Sequence, residues 1–181
     1  MRQQERGDPV ASQARYWIPF TVLWLCHTGT FFAFSASMPF LTLYVQEIGV
    51  SDRAEAAAWA GGISAVSMIL FAAMNVFWGA LADRAGLKLG LVRSLFLATL
   101  GLLVSGVAQS PAHLLIGRLV HSVGGGANSA ALTLASSILP AGQLGFGMGL
   151  LQTGQSLGGA LGPVVGGMIG DTQGFRAAFF V

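Results

Sequence analysis

Charge is scarce in this sequence. Only 9% of its residues are Asp, Glu, Lys or Arg, against roughly 25% in an average soluble domain. Nine basic and seven acidic residues cannot supply the polar coat that a water-soluble fold of 181 residues needs. The net charge of +2 is scattered, which excludes the concentrated basic face of a nucleic-acid binder. Cysteine is almost absent too. Cys26 stands alone, so an intrachain disulfide and a cysteine-based metal site are excluded; within an apolar tract it reads as a small hydrophobe. No metal-ligand cluster and no nucleophile–base set is found, so no enzyme chemistry, metal or cofactor is expected. Gly124-Gly-Gly126 lacks the Lys-Ser/Thr ending of a phosphate loop and falls inside an apolar tract.

What is present is hydrophobic sequence, 54% of the chain. The charges crowd into the first fifteen residues, 47–55, 83–93 and 171–176. Between them lie five tracts long enough for a bilayer, which takes about 20 apolar residues. They are Trp17–Val45, Trp59–Ala82, Leu89–Ala108, His113–Leu139 and Leu144–Ile169. Backbone groups in lipid must be satisfied within the segment, so these tracts are predicted to be helices. Tyr16, Trp17, Tyr44, Trp59 and Trp78 fall near tract ends, as interfacial aromatics do. The expectation is an all-α membrane protein. Residues 1–14 form a polar tail and 15–181 a transmembrane bundle. The tail holds Arg2 and Arg6, followed directly by Arg15, and the second loop region holds Arg84, Lys88 and Arg93. The excess of basic residues places both on the cytoplasmic side of the cell (inner) membrane.

An internal repeat is visible. Gly79-Ala-Leu-Ala-Asp83-Arg-Ala-Gly86 and Gly167-Met-Ile-Gly-Asp171-Thr-Gln-Gly174 share the pattern G-x-x-x-D-x-x-G. The copies end the second and fifth tracts, 88 residues apart. Three spans separate them, so they face opposite sides of the membrane, the mark of an inverted three-plus-three repeat. After Gly174 the chain turns apolar again at Phe175–Val181, too short to span. The repeat predicts that a sixth span starts there and that the chain is the front half of a longer protein.

Three further patterns carry chemistry. Gly79, Leu81, Asp83, Arg84, Gly86, Lys88 and Leu91 fill a G-x-L-a-D-r-x-G-r-k-x-x-l loop, with Leu87 where a basic residue is usual. Gly79 lets a helix approach closely, and Asp83 can accept from a helix N-terminus or pair with a basic neighbour. The bland reading is a polar loop with a cytoplasmic charge set. In the fifth tract Gly149, Gly158, Gly162, Pro163, Gly166 and Gly167 fill g-x8-G-x3-G-P-x2-G-G. Gly158, Gly162 and Gly166 share one face, flat enough for a neighbouring helix. Pro163 removes a backbone donor and is expected to bend the helix. Small-residue packing alone would leave the same face. In the fourth tract Leu114, Arg118 and Gly124 match l-x-x-x-R-x-x-q-G-x-g, with His121 and Ser122 replacing Gln and Gly.

Together with the Met38-Pro39-Phe40-Leu41-Thr42-Leu43-Tyr44 run, these motifs resemble the major facilitator superfamily, in its drug/proton antiporter branch of bacterial multidrug exporters. The resemblance covers Trp17 onward. It implies the N-terminal six-helix bundle of a secondary transporter, with five complete spans and the start of a sixth. It also implies proton-coupled efflux of drugs or other small amphipathic molecules by alternating access, with a proton gradient as energy source. The 79–88 loop would be a conformational latch. A C-terminal half, or a second copy, would be required for transport. Two alternatives stay open: a carrier of the same fold for a sugar or metabolite, and an inactive truncated fragment.

Coupling and cavity candidates are Arg118, His121, His27 and Asn75. A charge at the depth of Arg118 is costly and marks a function by default, although a long side chain there can snorkel. His27 lies roughly 16 Å along the first helix. No Asp or Glu sits deep in any tract, so the two histidines can titrate in place of a carboxylate or remain neutral partners of neighbouring helices. Asn75 reads as interhelical glue.

Overall fold

The computed structural model describes residues 9–180, with side chains from Arg15 and excepting those of 82–85. The described residues form helices joined by short turns. The order is α1 (Pro9–Ser37), α2 (Leu41–Glu47), α3 (Arg53–Ala85), α4 (Leu87–Gly106), α5 (Pro111–Val123), α6 (Ala127–Ile138) and α7 (Leu144–Gln173). The first tract is helical from Pro9, and Met1–Asp8 of the tail lie outside the described residues.

Three helical runs are long and apolar enough to cross a bilayer on their own: Arg15–Glu47, Arg53–Leu81 and Leu87–Gly106. The first changes to a tight 3-10 turn at Met38–Phe40 before continuing as α2. Pro39 explains the change, since it offers no N–H to the α-helical ladder. α7 is 30 residues long and rich in glycine, long enough to cross a bilayer.

The fourth tract is the point of correction. His113–Leu139 is not one span-length helix but two half-helices, α5 and α6, separated at Gly124–Gly126. Gly126 adopts φ +95°, a left-handed conformation that suits glycine and ends a right-handed helix. α5 starts from Ser110, whose hydroxyl accepts from the His113 N–H at 3.2 Å. Pro111 in its first turn gives up no bond there.

Packing follows the small residues. α1 and α7 make the most extensive helix contact. On α7 the buried positions are Gly147, Leu151, Gly154, Gly158, Gly162, Gly166 and Gly170, a stripe of period near four. A side chain at Gly158 would stand 2.5 Å from the Thr28 carbonyl, and one at Gly166 would strike the backbone of Ala36. α4 meets α5 in the same way: a methyl at Gly117 would lie 2.6 Å from the Ser105 nitrogen. With backbones this close, side chains can bond across. The Ser35 hydroxyl donates to the Gly158 carbonyl at 2.9 Å, and the Trp24 indole donates to Leu150 at 2.8 Å.

Two apolar clusters close the bundle at its ends. One gathers Phe20 and Leu23 of α1, Ala131 and Ala135 of α6, Leu139 and Leu151. The other gathers Tyr44 and Val45 of α2, Ile63 of α3, Leu114 of α5 and Phe179. His27 to Phe34 of α1 run between them.

The repeat has a structural counterpart. Gly86 follows α3 with φ 88° and ψ 138°, and Gly174 follows α7 with φ 87° and ψ 153°. Both copies of G-x-x-x-D-x-x-G therefore end a long helix with the same backbone turn. The turn at Met38–Phe40 and the break at Gly124–Gly126 lie near the same offset.

Candidate functional site

Between the two clusters lies a cavity of about 320 Å³. α1 contributes His27, Thr30, Phe31 and Phe34, and α3 contributes Ser67, Met68 and Phe71. Arg118, His121 and Ser122 come from α5, Asn128 from α6 and Gln155 from α7. Most of the surface is apolar, and no carboxylate lines it among the described residues.

Arg118 is 2% exposed. One nitrogen, Nη2, donates to the thioether of Met38 at 2.8 Å, a weak acceptor. Nε and Nη1 have no partner among the described residues. The guanidinium carbon lies 5.4 Å from the Phe34 ring centre, inside cation–π range. His121 stacks on the other contact of that ring, with centroids 5.5 Å apart. Its Nδ1 is 3.2 Å from the Ala98 carbonyl. A carbonyl only accepts, so Nδ1 carries a proton, and in the neutral ring Nε2 holds the lone pair. His27 is buried and meets Phe31 edge-on at 5.0 Å. Ser67 Oγ is also buried, with no partner among the described residues.

The broken helix beside the cavity is braced by side chains from α3 and α4. Asn75 Oδ1 accepts from the Gly126 N–H at 2.9 Å. The Trp78 indole donates to the Val123 carbonyl at 2.9 Å, and Arg93 Nη2 donates to the Gly125 carbonyl at 3.0 Å. The Arg93 guanidinium lies 3.3 Å over the Trp78 ring. Backbone groups that a break would leave unpaired in the bilayer are thereby satisfied. The sequence marked Trp78 only as an interfacial aromatic and Arg93 only as a cytoplasmic charge; neither signal pointed to bracing of the glycine break.

The structure unites Arg118, His121 and His27 on one cavity and places Asn75 behind it, on the break. It does not bring the 79–88 loop there. Gly79, Gly86 and Lys88 are exposed, and a methyl at Gly79 would meet no atom within 4 Å. The side chains of Asp83 and Arg84 lie outside the described residues. The fifth-tract glycines divide. Gly158, Gly162 and Gly166 lie in the seam with α1, and a methyl at Gly167 would lie 3.1 Å from the ring of Phe40. Gly149 is exposed with open space around it. The helix continues unbroken through Pro163.

Sequence reasoning also missed Glu47. Its carboxylate accepts from the Phe175 N–H at 2.8 Å and the Arg176 N–H at 3.2 Å. Arg176 in turn donates to the Ala108 carbonyl at 2.9 Å. The pair ties the segment after α7 to the ends of α2 and α4.

Small-residue seams, a broken helix at mid-bundle and a largely apolar inner cavity define a membrane bundle of the secondary-transporter kind. The family model of the Major Facilitator Superfamily matches residues 23–181, and the chain belongs to that family. It is similar to the multidrug resistance protein MdtG of Salmonella arizonae, 37% identical over 161 residues, which are 89% of this chain and 40% of that protein. The MdtG proteins of Citrobacter koseri and Salmonella paratyphi B match with the same identity and coverage. The chain thus spans about 40% of the length of these relatives.

Proposed function

We propose that this chain forms one half of a proton-coupled exporter of small amphipathic molecules, working by alternating access in the inner membrane with its N-terminus cytoplasmic. The observation that carries the reading is the cavity: largely apolar, with a buried arginine in its wall. An apolar wall with a few polar groups fits amphipathic cargo better than a sugar, which needs many hydrogen-bond partners. The relatives' name, multidrug resistance protein, points the same way.

Each candidate takes a role in this scheme. α7 moves against α1 along Gly158, Gly162 and Gly166, where α7 presents no side chain of its own. Gly149, Pro163 and Gly167 complete that antiporter helix. The loop carrying Gly79, Asp83, Arg84, Gly86 and Lys88 latches one state by docking on the other half. With no carboxylate lining the cavity among the described residues, His121 and His27 carry the proton. Arg118, one turn before His121, makes protonation and substrate binding mutually dependent. Asn75 keeps the broken helix in place. The C-terminal half, or a second copy, supplies the facing wall.

The test uses everted membrane vesicles holding the complete product of the reading frame, energised to an acid interior. Uptake of Nile red, rhodamine 123 and fluorescein is followed with and without an uncoupler. Uncoupler-sensitive uptake of any dye is expected, and the His27→Asn, His121→Gln double variant is expected to abolish it. Uptake of none of them sinks the efflux reading. Gradient-driven uptake that survives in the double variant removes the histidines from the coupling.

A further inference from the structure

A second, smaller cavity of about 80 Å³ lies away from the central one, where α3, α4 and α6 meet. Trp78 of α3, Gly90 and Arg93 of α4, and Ser129 and Thr133 of α6 border it. Its polar side chains are one guanidinium and two hydroxyls, with no carboxylate among the described residues. Arg93 is held on one side and unsatisfied on the other. Its guanidinium lies on the Trp78 ring, and Nη2 donates to the Gly125 carbonyl and the Ser94 hydroxyl. Neither acceptor carries a charge. Nε is buried with no acceptor among the described residues, a costly state for a cationic donor. The space beside this group is open. A methyl at Gly90 would meet nothing within 4 Å, whereas the α7 glycines of the α1 seam are covered by backbone. Gly90 lies one turn before Arg93, so the opening and the cation share a face of α4.

The depth matches a phospholipid headgroup. Arg93 stands about 9 Å along α4 from its start at Leu87, at 1.5 Å per residue. Trp78 is an aromatic of the interfacial kind, and exposed Lys88 adds a second positive charge in the first turn of α4. Phe77, Leu89 and Val92, next to these residues in the chain, are exposed apolar side chains. Basic pockets between membrane helices on the cytoplasmic side take anionic headgroups. Resting on the membrane orientation given under the proposed function, we propose that this cavity binds an anionic phospholipid of the cytoplasmic leaflet. Its phosphodiester accepts from Arg93 and from Ser129 and Thr133. Those hydroxyls donate to carbonyls within α6 when the site is empty, and each can rotate toward the phosphate. Acyl chains cover Phe77, Leu89 and Val92. The local positive charge selects a headgroup without an amine of its own. Because Arg93 also braces the Gly125 carbonyl, a phosphate that fixes the guanidinium steadies the break in the fourth span.

The complete product, purified and delipidated in detergent, is titrated with phosphatidylglycerol or phosphatidylcholine, and bound lipid is counted by native mass spectrometry. Phosphatidylglycerol is expected to bind about fivefold or more tightly. Gly90→Leu fills the open mouth and leaves Arg93 in place, so it should bring the two lipids level. Thr133→Val, an isosteric change at an exposed position, should weaken phosphatidylglycerol binding about fivefold and keeps the test decisive should Gly90→Leu fold poorly. Thermal unfolding is the second readout: phosphatidylglycerol should raise the melting temperature of the wild type and leave that of Gly90→Leu unchanged. Equal affinity for the two lipids in the wild type overturns the proposal, as does a preference that persists undiminished in either variant. Displacement of phosphatidylglycerol by millimolar inorganic phosphate would show an anion site that needs no lipid, and overturns the lipid assignment. Labelling of a cysteine placed in the tail by an impermeant maleimide on intact cells would overturn the assignment to the cytoplasmic leaflet. Lipid binding in detergent needs neither a gradient nor transport, so this proposal and the efflux reading can fail separately.

Discussion

The break in the fourth span rests on single atoms. Gly126 holds a left-handed backbone, and its amide is satisfied by one amide oxygen, Asn75 Oδ1. Replacing Gly126 with Ala places a Cβ in that conformation, at a cost of about 1–2 kcal/mol. Replacing Asn75 with Leu leaves a half-helix amide without its acceptor in a bilayer interior, at about 1–3 kcal/mol. Thermal unfolding of the detergent-solubilised protein should show both losses. Because the two substitutions act on one joint, their combined loss should fall short of the sum. A full sum would mean that the hydrogen bond and the glycine conformation are independent. The sequence marked Asn75 as interhelical glue but not its partner, which lies 51 positions away, and gave no sign of the left-handed backbone at Gly126.

At the level of helices, the α1–α7 seam shows what sequence does and does not disclose. The spacing of Gly158, Gly162 and Gly166 sets one flat face, and the structure lays that face on α1. Identifying the opposite surface needed coordinates, because Thr28, Phe32 and Ala36 carry no compositional mark. The break at Gly124–Gly126 was hidden for a related reason. Averaged apolarity runs straight across three glycines, whereas the helix ends where backbone conformation and bracing side chains allow it. The seam also separates packing from other duties. Gly166→Ala drives a methyl into the Ala36 backbone, an overpacking cost of about 1–3 kcal/mol. Gly149→Ala meets open space and should raise helix stability by up to about 1 kcal/mol. Unfolding temperatures measured side by side should therefore move in opposite directions. Loss of transport in Gly149→Ala without loss of stability would show that a surface outside this chain packs there.

For the whole molecule, the inverted repeat sets what one bundle can do. The matched turns at Gly86 and Gly174, and the breaks in the first and fourth spans, give the chain two similar units facing opposite ways. Such units form one wall of a central cavity, and alternating access needs a second bundle to rock against it. Gly79 is exposed, and a methyl there would meet nothing within 4 Å, which leaves room for a second bundle. Residues 1–181 and the remainder of the reading frame, expressed as two separate polypeptides, should therefore restore gradient-driven dye uptake in vesicles when present together. Each alone should fail while still reaching the membrane. Uptake by residues 1–181 alone would require two copies of this chain to face one another. In that case cysteines introduced at Gly79, in a Cys26→Ser background, should cross-link copy to copy, and the rocking surface would be made from this sequence twice.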